Sequence, residues 1–194
     1  MPLDLFTPDD TAVLLIDHQV GTMGWVRSAT FEDMKANALA LAKAATALRM
    51  PLVLTSSLEE RDQGPLLEEL KEIAPVEYDN RVKRAGVVNA MDDPEFAAAV
   101  KATSRNNLII AGVTNDVCTV YPTLTALDEG YRVQVVADAG GSMSKLADAV
   151  ALRRMENAGA ILTSANMILT ELALNWASPA GKALIPIVGE LIPV

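Results

Sequence analysis

The chain of 194 residues has one cysteine and one histidine, and each scarcity excludes chemistry. A lone cysteine closes no internal disulfide, and a reduced thiol suits a cytoplasmic location. A lone histidine, with no run of ligands at zinc spacing, supplies no zinc-type donor set, so neither a metal nor an organic cofactor is expected. Basic residues are also few, 16 against 25 acidic ones, for a net charge of −9. That balance gives no electrostatic footprint for nucleic acid or for an anionic membrane surface. No uncharged apolar run is long enough to span a bilayer. The opening MPLDLFTPDD lacks the basic stretch, apolar run and cleavage site of a secretory signal. The partners that remain are a small-molecule substrate and other copies of the chain.

With 51% hydrophobic residues the chain can bury the core of one domain. Short Val/Ile/Leu runs alternate with stretches that carry apolar residues at helical spacing, the pattern of an α/β protein with a mostly parallel sheet covered by helices. Strands are read at 11–16, 52–55, 107–112, 133–137 and 160–163. Helices are read at 31–48, from Asp93-Pro94 to about 104, up to Leu127 before Gly130, at 146–157 before Gly159, and last at 167–176. The middle is read as a short helix from Gly64-Pro65 through Leu70, a short strand at 76–78 and an irregular stretch at 84–89. Residues 1–177 form the domain. The tail, 178–194, holds Leu184-Ile185-Pro186-Ile187-Val188 and Leu191-Ile192-Pro193-Val194, too apolar for a solvated end. Packing on its own domain is one reading, and a subunit contact is preferred because exposed apolar patches mark interfaces.

Ligands of open parallel sheets bind beyond the carboxyl ends of the strands. Two residues stand there. Asp17 follows Val13-Leu14-Leu15-Ile16 directly, and Cys118 lies six residues past Gly112, at a strand-to-helix junction. Pro122 belongs in a first helical turn, which starts the helix near residues 117–121. Cys118 at that tip would have a depressed pKa and free N–H groups beside it for an oxyanion. The alternative is a small buried hydrophobe, as most free cysteines are. A thiol nucleophile needs a proton acceptor. Asp17 and His18 are the candidates, and since neighbours on a strand point to opposite faces they do not share one cleft. Asp17, with its pKa raised by burial, can act as base and then acid. Gln19 and Asn89 follow or flank strand ends and are candidate substrate-binding groups. Trp25 is pocket wall, core or interface, and Met23 likewise. Asp138 reads as a tie for the following Gly-Gly-Ser loop.

Four blocks in order, Leu15-Ile16-Asp17-His18-Gln19, Arg84-Ala85-Gly86-Val87-Val88-Asn89-Ala90, Gly112-Val113-Thr114-Asn115-Asp116-Val117-Cys118 and Val135-Val136-Ala137-Asp138-Ala139-Gly140-Gly141-Ser142, resemble the isochorismatase-like cysteine hydrolases, in particular the YcaC-like subgroup. The resemblance runs from about Thr11 to Glu171. It implies a three-layer α-β-α Rossmann-like fold with a six-stranded parallel sheet, and an Asp, Lys and Cys triad acting without metal on amides or related C–N bonds through a Cys118 thioester. Asp17 matches the acid/base and Cys118 the nucleophile. The third member departs from the family pattern, because Arg84 stands in that place with Lys83 beside it. Arg84 is chosen as an electrostatic group that holds Asp17 ionised and Cys118 as thiolate, with Lys83 the alternative and a surface ion pair of Arg84 with Glu77 or Asp79 the plain structural reading. The family also implies a cis peptide at Val113-Thr114, aiming the Thr114 N–H with that of Cys118 at the substrate oxygen, and a higher oligomer such as an octamer. Metal-dependent nicotinamidases of the superfamily use paired histidines, which this chain lacks, and isochorismatase proper typically lacks the thiol. A catalytically silent oligomeric binding protein on the same fold is the alternative, distinguished by an inert Cys118 where an enzyme's thiol would take iodoacetamide faster than a free thiol. A redox sensor ranks lower for want of a resolving cysteine.

Overall fold

A computed structural model describes residues 5–192, so residues 1–4 of the segment read for a signal and residues 193–194 of the apolar tail lie outside the described residues. In chain order the elements are β1 (Thr11–Ile16), α1 (Val20–Gly24), α2 (Phe31–Ala47), β2 (Leu52–Ser57), α3 (Glu69–Ile73), α4 (Pro75–Asp79), β3 (Val82–Arg84), α5 (Pro94–Ala102), β4 (Asn107–Gly112), α6 (Val120–Asp128), β5 (Arg132–Val136), α7 (Lys145–Asn157), β6 (Ile161–Thr163), α8 (Ala165–Ala173) and α9 (Pro179–Glu190). Every strand pairing is parallel, in the order β3-β2-β1-β4-β5-β6.

The aliphatic run of β1 is what makes it central. All six of its residues are buried, which fits a strand covered on both faces. Its alternating side chains feed two cores. Val13 and Leu15 meet Met34 and Leu41 of α2, Ile168 and Leu172 of α8, and Leu184 of α9. Ala12, Leu14 and Ile16 meet Phe96 of α5, Val120 of α6 and Met155 of α7. The result is the expected three-layer α-β-α fold. The chain winds outward from β1 to β3, then returns to place β4 on the other side of β1. Such a reversal opens a crevice at the carboxyl ends of the two central strands.

Four local expectations are corrected. Residues 64–70 are not one helix: Leu66 bridges antiparallel to Gln19, and the helix begins only at Glu69. Residues 76–78 lie in α4, not a strand, because Pro75 at its first position pre-sets a helical φ and the Tyr78 N–H closes on Ala74 O at 2.9 Å. Arg84 ends β3 instead of opening an irregular stretch. The helix read at 167–176 is α8, begun by Ser164, whose hydroxyl accepts the Met167 N–H at 3.2 Å, and broken at Leu174, where φ is +52°.

The tail folds into α9 despite Pro186 within it. Leu184 and Ile187 enter the core beside α2 and α8, while Ile185 and Ile192 stay exposed. The preference for a subunit contact over self-packing is therefore corrected for the buried pair, whose partners lie in the same chain, and the boundary at 177 does not divide the core. Among the described residues no helix is long and apolar enough to cross a membrane.

Candidate active site

Asp17 leaves β1 with φ +58°, a left-handed conformation uncommon outside glycine. Its N–H still donates to Thr55 O at 3.0 Å, and its own carbonyl accepts the Gln19 N–H at 2.7 Å. This kink holds the carboxylate at the crevice while His18 turns away. His18 is fully buried and its Nε2 donates to Ala139 O at 2.8 Å. Burial pushes its pKa down to about 4, so it stays neutral and holds a loop.

Arg84, 2% exposed at the end of β3, spends its whole guanidinium inside the protein. One terminal nitrogen binds both Asp17 oxygens, the other donates to Val87 O, and Nε donates to Thr55 Oγ1 at 3.0 Å. Lys83 points the other way, as strand alternation requires, and sits 3.3 Å from Glu59 Oε2 near the surface. Thus Arg84, not Lys83, reaches Asp17, and the surface pairing with Glu77 or Asp79 does not form.

Cys118 occupies a wide helical turn, Asn115–Thr119, whose i→i−5 bond runs from the Thr119 N–H to Thr114 O at 3.1 Å. Its thiol lies beside the Asp17 carboxylate, whose charge acts on it, and Asp17, Arg84 and Cys118 line one cavity. Two expectations about the sulfur are corrected. α6 starts at Val120, inside the span that Pro122 predicted, but a turn from Asn115 precedes it, so Cys118 is that turn's fourth residue and its N–H already donates to Thr114 O at 2.8 Å. It is no free donor paired with that of Thr114. The thiol pKa is also raised, not depressed: burial and the adjacent Asp17 charge outweigh Arg84 and the backbone. Burial likewise pushes Asp17 up, against the pull of Arg84. At rest the proton stays on sulfur, and slow alkylation no longer separates an enzyme from a silent binder.

The turn is anchored from below. The Val113–Thr114 peptide is cis. The Asn115 N–H donates to Gly141 O at 2.7 Å, and its side chain donates to Asp148 Oδ1 at 3.1 Å and Ala137 O at 3.3 Å. Two glycines permit this approach: a Cβ on Gly112 would sit 2.8 Å from Thr119 Oγ1, and one on Gly140 2.5 Å from Asn115 Oδ1. Asp138 ties the same loop to α8 by accepting the Ala165 N–H at 2.8 Å.

The three residues line a cavity of about 280 Å³ walled mainly by Trp25, Leu58, Val87, Val88, Val117 and Met143. Met23 is core, 1% exposed. Gln19 lines the cavity, but its amide donates to Ser57 O at 2.9 Å and to Gly64 O and accepts the Ser57 N–H at 2.8 Å, so it clamps strand ends and both of its amide protons are spent. Asn89 is not part of the wall. It caps the turn Ala90–Asp92 and donates to Asp92 Oδ1 and Thr125 Oγ1, both at 2.9 Å. Of the two expected substrate-binding groups, Gln19 faces the cavity and Asn89 does not. Among the described residues no three His, Cys, Asp or Glu side chains gather as a metal ion would need.

The isochorismatase domain model matches residues 11–167. The chain belongs to the isochorismatase domain family. It is 41% identical over 169 residues to YcaC of Escherichia coli (strain K12), described as a probable hydrolase, across 87% of this chain and 80% of that protein. The solved structure of E. coli YcaC, an octameric hydrolase of unknown specificity, matches with TM-score 0.89 and 38% identity over 98% of this chain and 96% of that one. YcaC from Pseudomonas aeruginosa, solved with hexane-2,5-diol and covalent acrylamide, matches with the same score and coverages at 39% identity. Within this isochorismatase domain, sequence reasoning missed Thr55, Asn115 and Asp148. Thr55 was legible as a polar residue ending a buried strand; Asn115 and Asp148 lie 33 residues apart with no local signal of their contact.

Proposed function

We propose that this isochorismatase-family hydrolase cleaves an amide or related C–N bond of a small molecule through a thioester on Cys118, without metal. The observation that carries the reading is the Cys118 thiol sharing a small cavity with an Asp17 carboxylate that Arg84 fixes there. Arg84 cannot give up its proton, so it acts on Asp17 as charge alone. With sulfur protonated at rest, the proton moves only as attack begins. Asp17 takes it while sulfur bonds to the substrate carbonyl carbon, and the oxyanion settles on the Thr114 N–H. Asp17 then returns that proton to the departing amine as the C–N bond breaks. Water, deprotonated by Asp17, attacks the thioester, and the acid leaves as the proton returns to sulfur. The covalent acrylamide of the P. aeruginosa relative supports the reading, since acrylamide is an acceptor for thiols and this chain holds one.

The test is a panel of small amides, ureas and carbamates followed by ammonia or amine release. Wild type should turn over at least one member, and Cys118→Ala should lower that rate by at least about 1,000-fold. Equal turnover by Cys118→Ala refutes the thioester. The raised thiol pKa and an arginine where the family pattern has lysine favour a second reading, a catalytically silent binding protein. It predicts panel members that raise the melting temperature while releasing nothing. We also propose that the protein is cytoplasmic and self-associates, as the E. coli octamer does, with the exposed Ile185 and Ile192 of the 178–194 tail in a contact beyond the 1–177 domain. Light scattering that gives a monomer refutes the assembly.

A further inference from the structure

The cavity wall carries information on substrate charge that the reacting trio does not. Among the described residues its only cation is Arg84, 2% exposed and with every donor nitrogen already engaged by Asp17, Thr55 or Val87. The only carboxylate in the wall is Asp17, which that guanidinium neutralises. Both amide protons of Gln19 are engaged as well, so it offers an anion no donor. Around the mouth stand Trp25, Leu58, Val87, Val88, Val117 and Met143, all between 37% and 59% exposed, so they face incoming molecules without being sealed in the core. A carboxylate or phosphate entering this cavity would lose hydration and find no cation to replace it. A net charge of −9 on the chain adds to the opposition.

We propose that the site selects neutral substrates with an apolar acyl or amine substituent, held against the Trp25, Leu58, Val88 and Met143 wall, and rejects anionic ones. This inference rests on the hydrolase reading for its chemistry but not for its test.

The test uses the intact protein and a pair of electrophiles matched in size. Cys118 sulfur displaces iodide from iodoacetamide or iodoacetate, the S–C bond forming as C–I breaks and the thiol proton leaving to buffer, and comparison with a peptide thiol removes the reagents' difference in intrinsic reactivity and leaves their charge. Labelling is followed by intact mass, with a cysteine peptide of neutral net charge measured alongside. The iodoacetamide-to-iodoacetate rate ratio at Cys118 should exceed the peptide's by at least about tenfold. Val88→Lys, at a position 54% exposed and outside the reacting trio, should lower that ratio by about fivefold. Extending N-methyl to N-butyl iodoacetamide should speed labelling by about fivefold or more as methylenes enter the wall. A ratio equal to or below the peptide's overturns the inference, and so does an N-butyl reagent slower than N-methyl. A ratio unmoved by Val88→Lys overturns the electrostatic account of the wall. If Cys118→Ala hydrolyses a panel amide like wild type while the labelling selectivity persists, the thioester falls and the selectivity stands, so the two failures are distinguishable.

Discussion

Replacing Arg84 with methionine keeps much of the side-chain stem but leaves Asp17, 1% exposed, without its counter-charge. Removing one partner of a buried pair costs about 3–5 kcal/mol, and here the cost has a ceiling that depends on pH. The variant can escape a lone buried charge by protonating Asp17. That escape costs about 1.4 kcal/mol for each pH unit above the unfolded-state value near 3.9, or about 4 kcal/mol at pH 7 and about 1.5 kcal/mol at pH 5. The sign follows from linkage: an acid whose folded pKa lies above its unfolded one is least harmful at low pH and destabilises as pH rises. Loss of the bonds to Thr55 Oγ1 and Val87 O adds the same penalty at both pH values and cancels in the difference. Urea unfolding of wild type and Arg84→Met at one fixed protein concentration should therefore show a penalty larger at pH 7 than at pH 5 by at most about 2.5 kcal/mol, less whatever burial already costs Asp17 in the wild type. A penalty equal at both, within about 0.5 kcal/mol, the usual tolerance for independent effects, would mean that Asp17 keeps its charge by other means and that Arg84 is not what holds it.

Cys118, its thiol raised by burial and the Asp17 charge, should react with iodoacetamide at pH 7 more slowly than a free cysteine and accelerate with pH beyond the range where a free thiol has levelled off; faster labelling at pH 7 refutes the resting proton on sulfur. His18, pushed down to about 4 by burial, binds its proton in the unfolded chain first, so stability should fall as pH drops from about 6.5 to 4 by about 3 kcal/mol. Urea midpoints that show the same slope in His18→Gln refute that assignment. Gln19→Ala removes bonds to Ser57 and Gly64 and should cost about 2–3 kcal/mol in unfolding free energy, with hydrogen exchange faster around Gly64; a change confined to KM would return Gln19 to substrate binding. Asn89→Ala should cost about 1 kcal/mol as a lost cap and leave turnover within about twofold, because Asn89 lies outside the cavity wall.

What was legible follows from the range of each signal. Strands β1 and β4 announced themselves as unbroken aliphatic runs buried on both faces, and the polar residues just beyond them fell at the sheet's carboxyl edge, so Asp17 and Cys118 could be placed from local pattern alone. Arg84 was placed by likeness to a family block and not by its own neighbourhood, which looked irregular because β3 is only three residues long. The short segments failed where two periods compete. Residues 76–78 satisfy a strand pattern as well as a helical one, and only Pro75 tips them into α4. The tail gave no helical reading, yet it forms α9, where burial of Leu184 and Ile187 against α2 and α8 outweighs the N–H that Pro186 lacks. Gln19 and Asn89 could not be told apart in the sequence for a common reason. Both are polar residues at strand or turn ends, and sequence cannot tell an amide whose valences are consumed by its own backbone surroundings from one left open to a ligand.

The error about the sulfur is the most instructive of these. A helix tip stabilises a thiolate by a fraction of a charge, and that effect was the whole basis for expecting a depressed pKa. In the folded chain burial of the sulfur pushes its pKa up most, and the Asp17 charge beside it pushes the same way. Burial and a neighbouring unit charge together outweigh half a charge spread over a turn whose relevant N–H is already spent on Thr114 O. Arg84 does not reverse this, because its charge is committed first to the carboxylate. The arrangement therefore favours a thiol that waits protonated beside its base, and it shifts the burden of activation from the free protein to the moment when a neutral, apolar substrate excludes water from the cavity.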